Sequence, residues 1–306
     1  MIKRFLICLL FLLISFSVEA ANRFATCVST CTWDASDTTM WGAASGGTGA
    51  SVPGSGDAVI LDNLTCVGGV TCTITVNTTV NVQSITMGTC TASTTGCILN
   101  FAANDNNVTL ITFSNSGTGT RTLNMGDGTW TITTPSGTPW DQNTITNLTF
   151  ASNASTLVIA PSATRSAQAI VSLGASLTYN AITINDPVLA STVERAPLLF
   201  TSATNTITTF SIINAYSIKF AGSTTTITNG FSYSGGVTTA LLITSGDNNS
   251  QATLSVGGTV TFSWAAFQNI IKAGAGSISA TNSFDLGGNA NITITNPAGG
   301  GRIIGG

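Results

Sequence analysis

Between Cys72 and Thr295 the chain never sustains a helical period. A short alternating or fully apolar run recurs instead, followed by glycine, asparagine or a Ser/Thr cluster and then by another run. "CTITVNTTVNVQSITMG", "NVTLITFSNSG", "TRTLNMGDGTWTITT" and "SLTYNAITIND" show the rhythm. Short strands with frequent turns restrict the fold to an all-β sandwich, barrel or solenoid. The runs continue without a linker well past the hundred or so residues at which a sandwich domain stops, so the alternative is two sandwiches in tandem. "TTVNVQSITMG" returns in looser form as "TNTITTFSIIN" and "GSTTTITNGFSYSG". Such coarse self-similarity is what stacked coils produce, each burying its inward row against its neighbours. Only 7% of residues are charged, which leaves little to protect open sheet edges, and a solenoid has edges only at its two ends.

Residues 1–20 read as an export leader. Lys3 and Arg4 precede the apolar run Phe5–Ser17, and Val18-Glu19-Ala20 supplies small residues at the −3 and −1 positions before Ala21. The run is short for a bilayer span. The chain has nine basic and twelve acidic residues. Loss of Lys3, Arg4 and Glu19 with the leader leaves seven and eleven, a net charge of −4. No basic patch exists to neutralise phosphates, so nucleic acid is not an expected partner. Hydrophobic residues make up 43% of the chain, which argues against disorder.

Six cysteines follow the leader: Cys27, Cys31, Cys66, Cys72, Cys90 and Cys97. An even number in an exported chain predicts disulfides. Turn residues between Cys66 and Cys72, and between Cys90 and Cys97, favour pairing of neighbours. An extended "CVSTC" would hold Cys27 and Cys31 too far apart to bond, so their pairing stays open. A zinc site is not expected, because no C-x-x-C pair occurs.

The stretch "SVPGSGDAVILD" (Ser51–Asp62) turns at Pro53-Gly54 and enters a strand. With Trp33 and Trp41 upstream it reads as the end of a cap, in which Asp57 accepts backbone N–H groups and does no acid catalysis. The expected organisation is a leader at 1–20, a cap at 21–62, a coil stack at 63–295 and a glycine-rich tail at 296–306.

The ordered series "VPGSGDAVILD", "LNMGDGTWTI", "NLTFASNASTLVI", "SLTYNAITI", "IKFAGSTTTITNGF" and "TNSFDLGGNANITI" resembles a large group of repeat-rich bacterial, metagenomic and phage-encoded proteins. The resemblance covers roughly Trp33 to Thr295. It implies an all-β, single-stranded, right-handed parallel β-helix with a surface, adhesive or virion-associated role, and it implies no enzyme. This chain departs from the group at its end, which reads "NITITNPAGGGRIIGG" where relatives carry an aromatic strand.

Chemistry is thinly represented. There is no histidine, which removes Ser-His-Asp and Cys-His catalysis, imidazole metal sites and the commonest general base. Glycoside cleavage needs two converging carboxyls. The pairs near in sequence are Asp34/Asp37 and Asp57/Asp62, and by coil spacing Asp105, Asp127 and Asp141 are the best candidates. Each also fits ordinary turn chemistry, and Lys219 and Lys272 stand apart from them. No cofactor is expected beyond a weakly held calcium at Asn104–Asn107 or Gly246–Asn249, both oxygen-rich. Phe210, Phe220, Phe231, Tyr233, Trp264 and Phe267 suit core stacks, whereas Trp130 and Trp140, beside turns, are the expected glycan contacts. The sequence-level function is therefore a secreted or cell-surface structural or adhesive protein that meets glycans or other proteins. A polysaccharide-degrading β-helix enzyme and a virion or tail component are the alternatives.

Overall fold

The computed structural model describes residues 20–90, 96–134, 136–162, 167–186, 197–201, 204–222, 224–233, 241–246 and 250–298. The leader up to residue 19, Asp247–Asn249 and the tail from residue 299 lie outside them.

The described chain is all-β, with one 3-10 turn at Val67–Gly69. Nearly every strand pairs in parallel with the strands one coil before and one coil after it, which is compatible with the expected solenoid. In a first ladder Val80 pairs with Val108, Val108 with Trp130, Trp130 with Leu157, Leu157 with Ile182, Ile182 with Phe210 and Phe210 with Phe231. All seven side chains are buried. A second ladder runs Val59, Ile85, Phe113, Trp140, Val171, Phe200, Phe220, again all buried. A third joins Thr30–Trp33, Cys72–Val76, Cys97–Asn100, Arg121–Asn124 and Leu148–Ala151.

The eight-residue strands show how one segment serves two ladders. In Val80–Met87 the buried positions are Val80, Val82, Ile85 and Met87, so the alternation slips by one residue near Gln83. In a flat strand such a slip sends the following side chains to the opposite face. Here pairing resumes at Ser84 in the next ladder, and the slip marks a corner that keeps both halves facing the core. Val108–Asn115 and Thr178–Asn185 slip in the same way. Asparagine in the left-handed region turns other corners, at Asn147, Asn153 and Asn269, where its short polar side chain tolerates positive φ.

The core is a continuous column with an aromatic middle. Trp130 meets Phe101 edge to face at 4.6 Å, and Phe113 stacks on Trp140 at 4.6 Å. Higher up, Phe210, Phe231, Phe262 and Phe267 continue as edge-to-face pairs, the geometry that aromatic quadrupoles favour. At the N-terminal end Asn22–Ala25 pairs in parallel with Ala58–Leu61 and antiparallel with Trp41–Gly42. There Trp33 and Trp41 meet edge to face at 4.9 Å and are both buried.

Three disulfides join Cys27 to Cys31, Cys66 to Cys72 and Cys90 to Cys97. The pair left open by the sequence closes because the backbone bends at Val28-Ser29, which brings the two Cα atoms to 5.8 Å. Gly68 and Gly69, both at positive φ, make the turn inside the second loop.

Candidate functional site

The acids of the N-terminal region are all occupied by local backbone. Asp34 Oδ1 accepts N–H groups from Ser36 and Asp37 at 2.8 Å each, and these bonds hold its carboxyl below the usual aspartate range. Asp37 Oδ1 accepts from Thr39 N at 2.8 Å, and Asp62 Oδ1 from Leu64 N at 2.9 Å. Asp57 is buried. It accepts from Gly54 N at 2.9 Å and Ala21 N at 3.2 Å, and Arg23 Nε lies 3.5 Å from its second oxygen. It is the turn acceptor that the sequence suggested.

Asp105 and Asp127 do lie on adjacent coils, as their spacing implied. Each is a rung between coils: Asp105 Oδ1 accepts from Asp127 N and Asp127 Oδ1 from Ala154 N, both at 3.0 Å. Asp141 sits in the second ladder and accepts from Asn143 N at 2.9 Å, so the three are not brought together. Pairing between coils also engages the calcium candidate at Asn104–Asn107, where Asn107 Oδ1 accepts from Thr129 N at 2.9 Å. No group of three or more Cys, Asp or Glu side chains able to hold a metal occurs among the described residues. Most of the other candidate lies outside them.

Trp130 and Trp140 correct the expected glycan platform, because both are fully buried. Trp130 Nε1 donates to Met125 O at 3.0 Å, and Trp140 Nε1 to Tyr179 Oη at 3.0 Å, so even their polar edges are engaged inside the stack. Their strands alternate in phase with Val108 and Phe113, which turns the indoles inward; nearness to a turn in sequence did not decide the face. Phe210, Phe220, Phe231 and Phe267 are buried too. Trp264 is different. It is only partly buried and sits at positive φ (61°) between Thr259–Ser263 and Ala265–Gln268. A bulky residue held in that region is strained. The sequence contained no signal for this backbone state.

What the ladders present outward is a rank of uncharged side chains, polar at every rung except Val158. Between the buried positions of the first ladder, Asn81, Thr109, Thr131, Val158, Thr183, Ser211 and Ser232 follow in register. All are half-buried or exposed. Nearer the C-terminus Thr261, Ser279 and Thr293 pair in the same manner, as do Thr259 and Ser277. Successive rungs of a parallel sheet repeat at roughly 4.7–4.9 Å, so these side chains form a regular row that bears hydroxyls at Thr109, Thr131, Thr183, Ser211 and Ser232, and Ser232 Oγ donates to Ser211 Oγ at 3.1 Å. A cleft of about 390 Å³ adjoins Asn81, lined by Trp33, Val52, Pro53, Ser55, Thr78 and Thr79 among others and by no titratable side chain.

A cationic side chain lies inside the stack. Arg121 occupies the inward position that Cys72 and Cys97 occupy on the coils before it, and it is fully buried. Nε donates to Asn115 Oδ1 at 2.6 Å, Nη1 to Gly119 O at 2.6 Å and Nη2 to Thr144 O at 2.9 Å. Burial lowers its pKa from the ordinary arginine value. All three partners are neutral, so the guanidinium acts as a fastener for two corners.

No family model matches the chain, and no curated protein and no solved structure is significantly similar to it.

Proposed function

We propose that this chain is an exported, non-catalytic rod, a right-handed parallel β-helix that lays its hydroxyl face on glycans at a cell surface. The observation that carries the reading is the in-register outward rank from Asn81 to Ser232, which bears no charge. Repeating hydroxyl and amide groups complement the repeating hydroxyls of a polysaccharide through many weak hydrogen bonds, each worth about 0.5–1.5 kcal/mol net. Regular spacing lets those bonds add along the rod, as in multivalent attachment. Trp264, beside the Thr259–Ser263 rung, supplies an aromatic face at one end. The leader pattern and three disulfides support export, and no helix among the described residues is long and apolar enough to cross a membrane. The acids act as turn and rung acceptors, which favours adhesion over cleavage.

The test is a glycan and polysaccharide array on the exported protein, with and without calcium and with product release assayed on every hit. Saturable binding without products is expected, lost in Thr131→Lys and Thr183→Lys and weakened in Trp264→Ala. Released oligosaccharides, or binding indifferent to both lysine variants, refute the reading.

A further inference from the structure

Ala21 is the first residue after the leader pattern, and its backbone nitrogen lies 3.2 Å from Asp57 Oδ1. The surrounding chain is fixed: Ala58 N donates to Ala21 O at 2.9 Å, and Asn22 is in register with Ala58. Ala20, one residue earlier, is exposed. Asp57 is nearly sequestered at 5% exposure, with one oxygen facing Ala21 and the other facing Gly54 N and Arg23. A backbone amide offers this carboxylate one neutral N–H. A chain terminus at the same place offers an ammonium.

We propose that hydrolysis of the Ala20–Ala21 bond, by the class of membrane peptidase that removes export leaders, creates an amino-terminal ammonium that pairs with Asp57 and locks the first strand into the sheet. Water adds its hydroxyl to the Ala20 carbonyl carbon as the C–N bond breaks, and its other proton goes to the former amide nitrogen. The new carboxyl ionises to a carboxylate, and its proton, by way of solvent, completes –NH3+. The peptide bond breaks on the exposed side of Ala20, while the nitrogen stays where it already sits. Cleavage thus replaces a neutral hydrogen bond by a charge-assisted one, roughly twice as strong, at a half-buried site where salt screens it less than at the open surface. The chain that still carries its leader lacks this contact. Processing and closure of the N-terminal end become one event, so the finished end forms only on exported protein. The proposal rests on the export reading and is independent of any glycan ligand.

Mass spectrometry of the exported protein gives its first residue, and thermal unfolding gives the effect. A chain starting at Ala21 should melt about 2–4 °C above the same chain carrying one extra glycine ahead of Ala21, the shift expected of a single partly buried charge contact in a chain this long. In the Asp57→Asn background the gap should vanish. Should that variant fail to fold, pH supplies a second measurement. Asp57 is the charged group facing the terminus, and Arg23 lies against its other oxygen. An ammonium stabilised in the fold contributes fully below the ordinary α-amino pKa of about 8, and the gap closes as pH rises beyond it. A first residue other than Ala21 overturns the cleavage on which the lock depends. Equal melting of the two chains, or a gap that survives Asp57→Asn or high pH, overturns the lock itself.

Discussion

Replacing Arg121 by methionine tests whether an interior cation fastens this stack. Methionine keeps most of the apolar volume but removes three donors, at 2.6, 2.6 and 2.9 Å from Asn115 Oδ1, Gly119 O and Thr144 O. A buried acceptor that loses its donor costs about 1–3 kcal/mol, so three such losses come to roughly 3–9 kcal/mol before any offset. Against this stands the desolvation of a guanidinium, several kcal/mol, which the variant no longer suffers. Thr144 O retains a donor in Asn115 Nδ2 at 3.1 Å, so two acceptors are orphaned instead of three. The difference, about 2–4 kcal/mol of destabilisation, corresponds to roughly 5–15 °C for a chain of this size. Denaturation followed by tryptophan fluorescence reports it directly, because Trp140 lies two residues from Gln142, the other partner of Asn115. A variant as stable as the parent would show that the fastening bonds do no more than offset the cost of burying the charge.

Other perturbations separate the remaining interactions. Trp140→Ala should cost about 3–5 kcal/mol, as large-to-small core changes do; its calorimetric unfolding would show whether the stack on Phe113 and the bond to Tyr179 matter as argued. Burial pushes the Tyr179 phenol far above its ordinary pKa of 10.0. Its contribution is therefore complete below about pH 10 and lost as pH rises further, and ultraviolet titration should show Tyr179 ionising only with unfolding. Gly117→Ala should destabilise by well over the ~1 kcal/mol typical of point variants, since a Cβ there meets the Gly88 carbonyl of the coil below; the denaturant midpoint measures it. Reduction should lower the melting temperature, and unreduced, unfolded protein without its leader should show no reactive thiol, because all six cysteines pair with near neighbours.

Much of this was legible in the sequence. The alternating runs and turn clusters specify an all-β chain of short strands, because a period of two with frequent breaks cannot bury its apolar face as a helix. The turn residues around Gly68-Gly69 announced the Cys66–Cys72 pairing, and the spacing of "SGDAVILD" marked Asp57 as a turn acceptor. These are local properties, settled by a few neighbouring residues. What tertiary structure alone decided is which face each residue serves. A one-residue slip at corners such as Gln83 changes which alternate positions face the core, and register with Val108 and Phe113 on neighbouring coils puts Trp130 and Trp140, next to turns in sequence, in the core. Arginine is rarely buried, yet Arg121 fills an inward position, where the stacked coils bring the carbonyls of Gly119 and Thr144 to its protons. The strained backbone of Trp264 and the approach of Ala21 N to Asp57, thirty-six residues away, likewise arise from contacts between coils, which a period read along one strand does not contain.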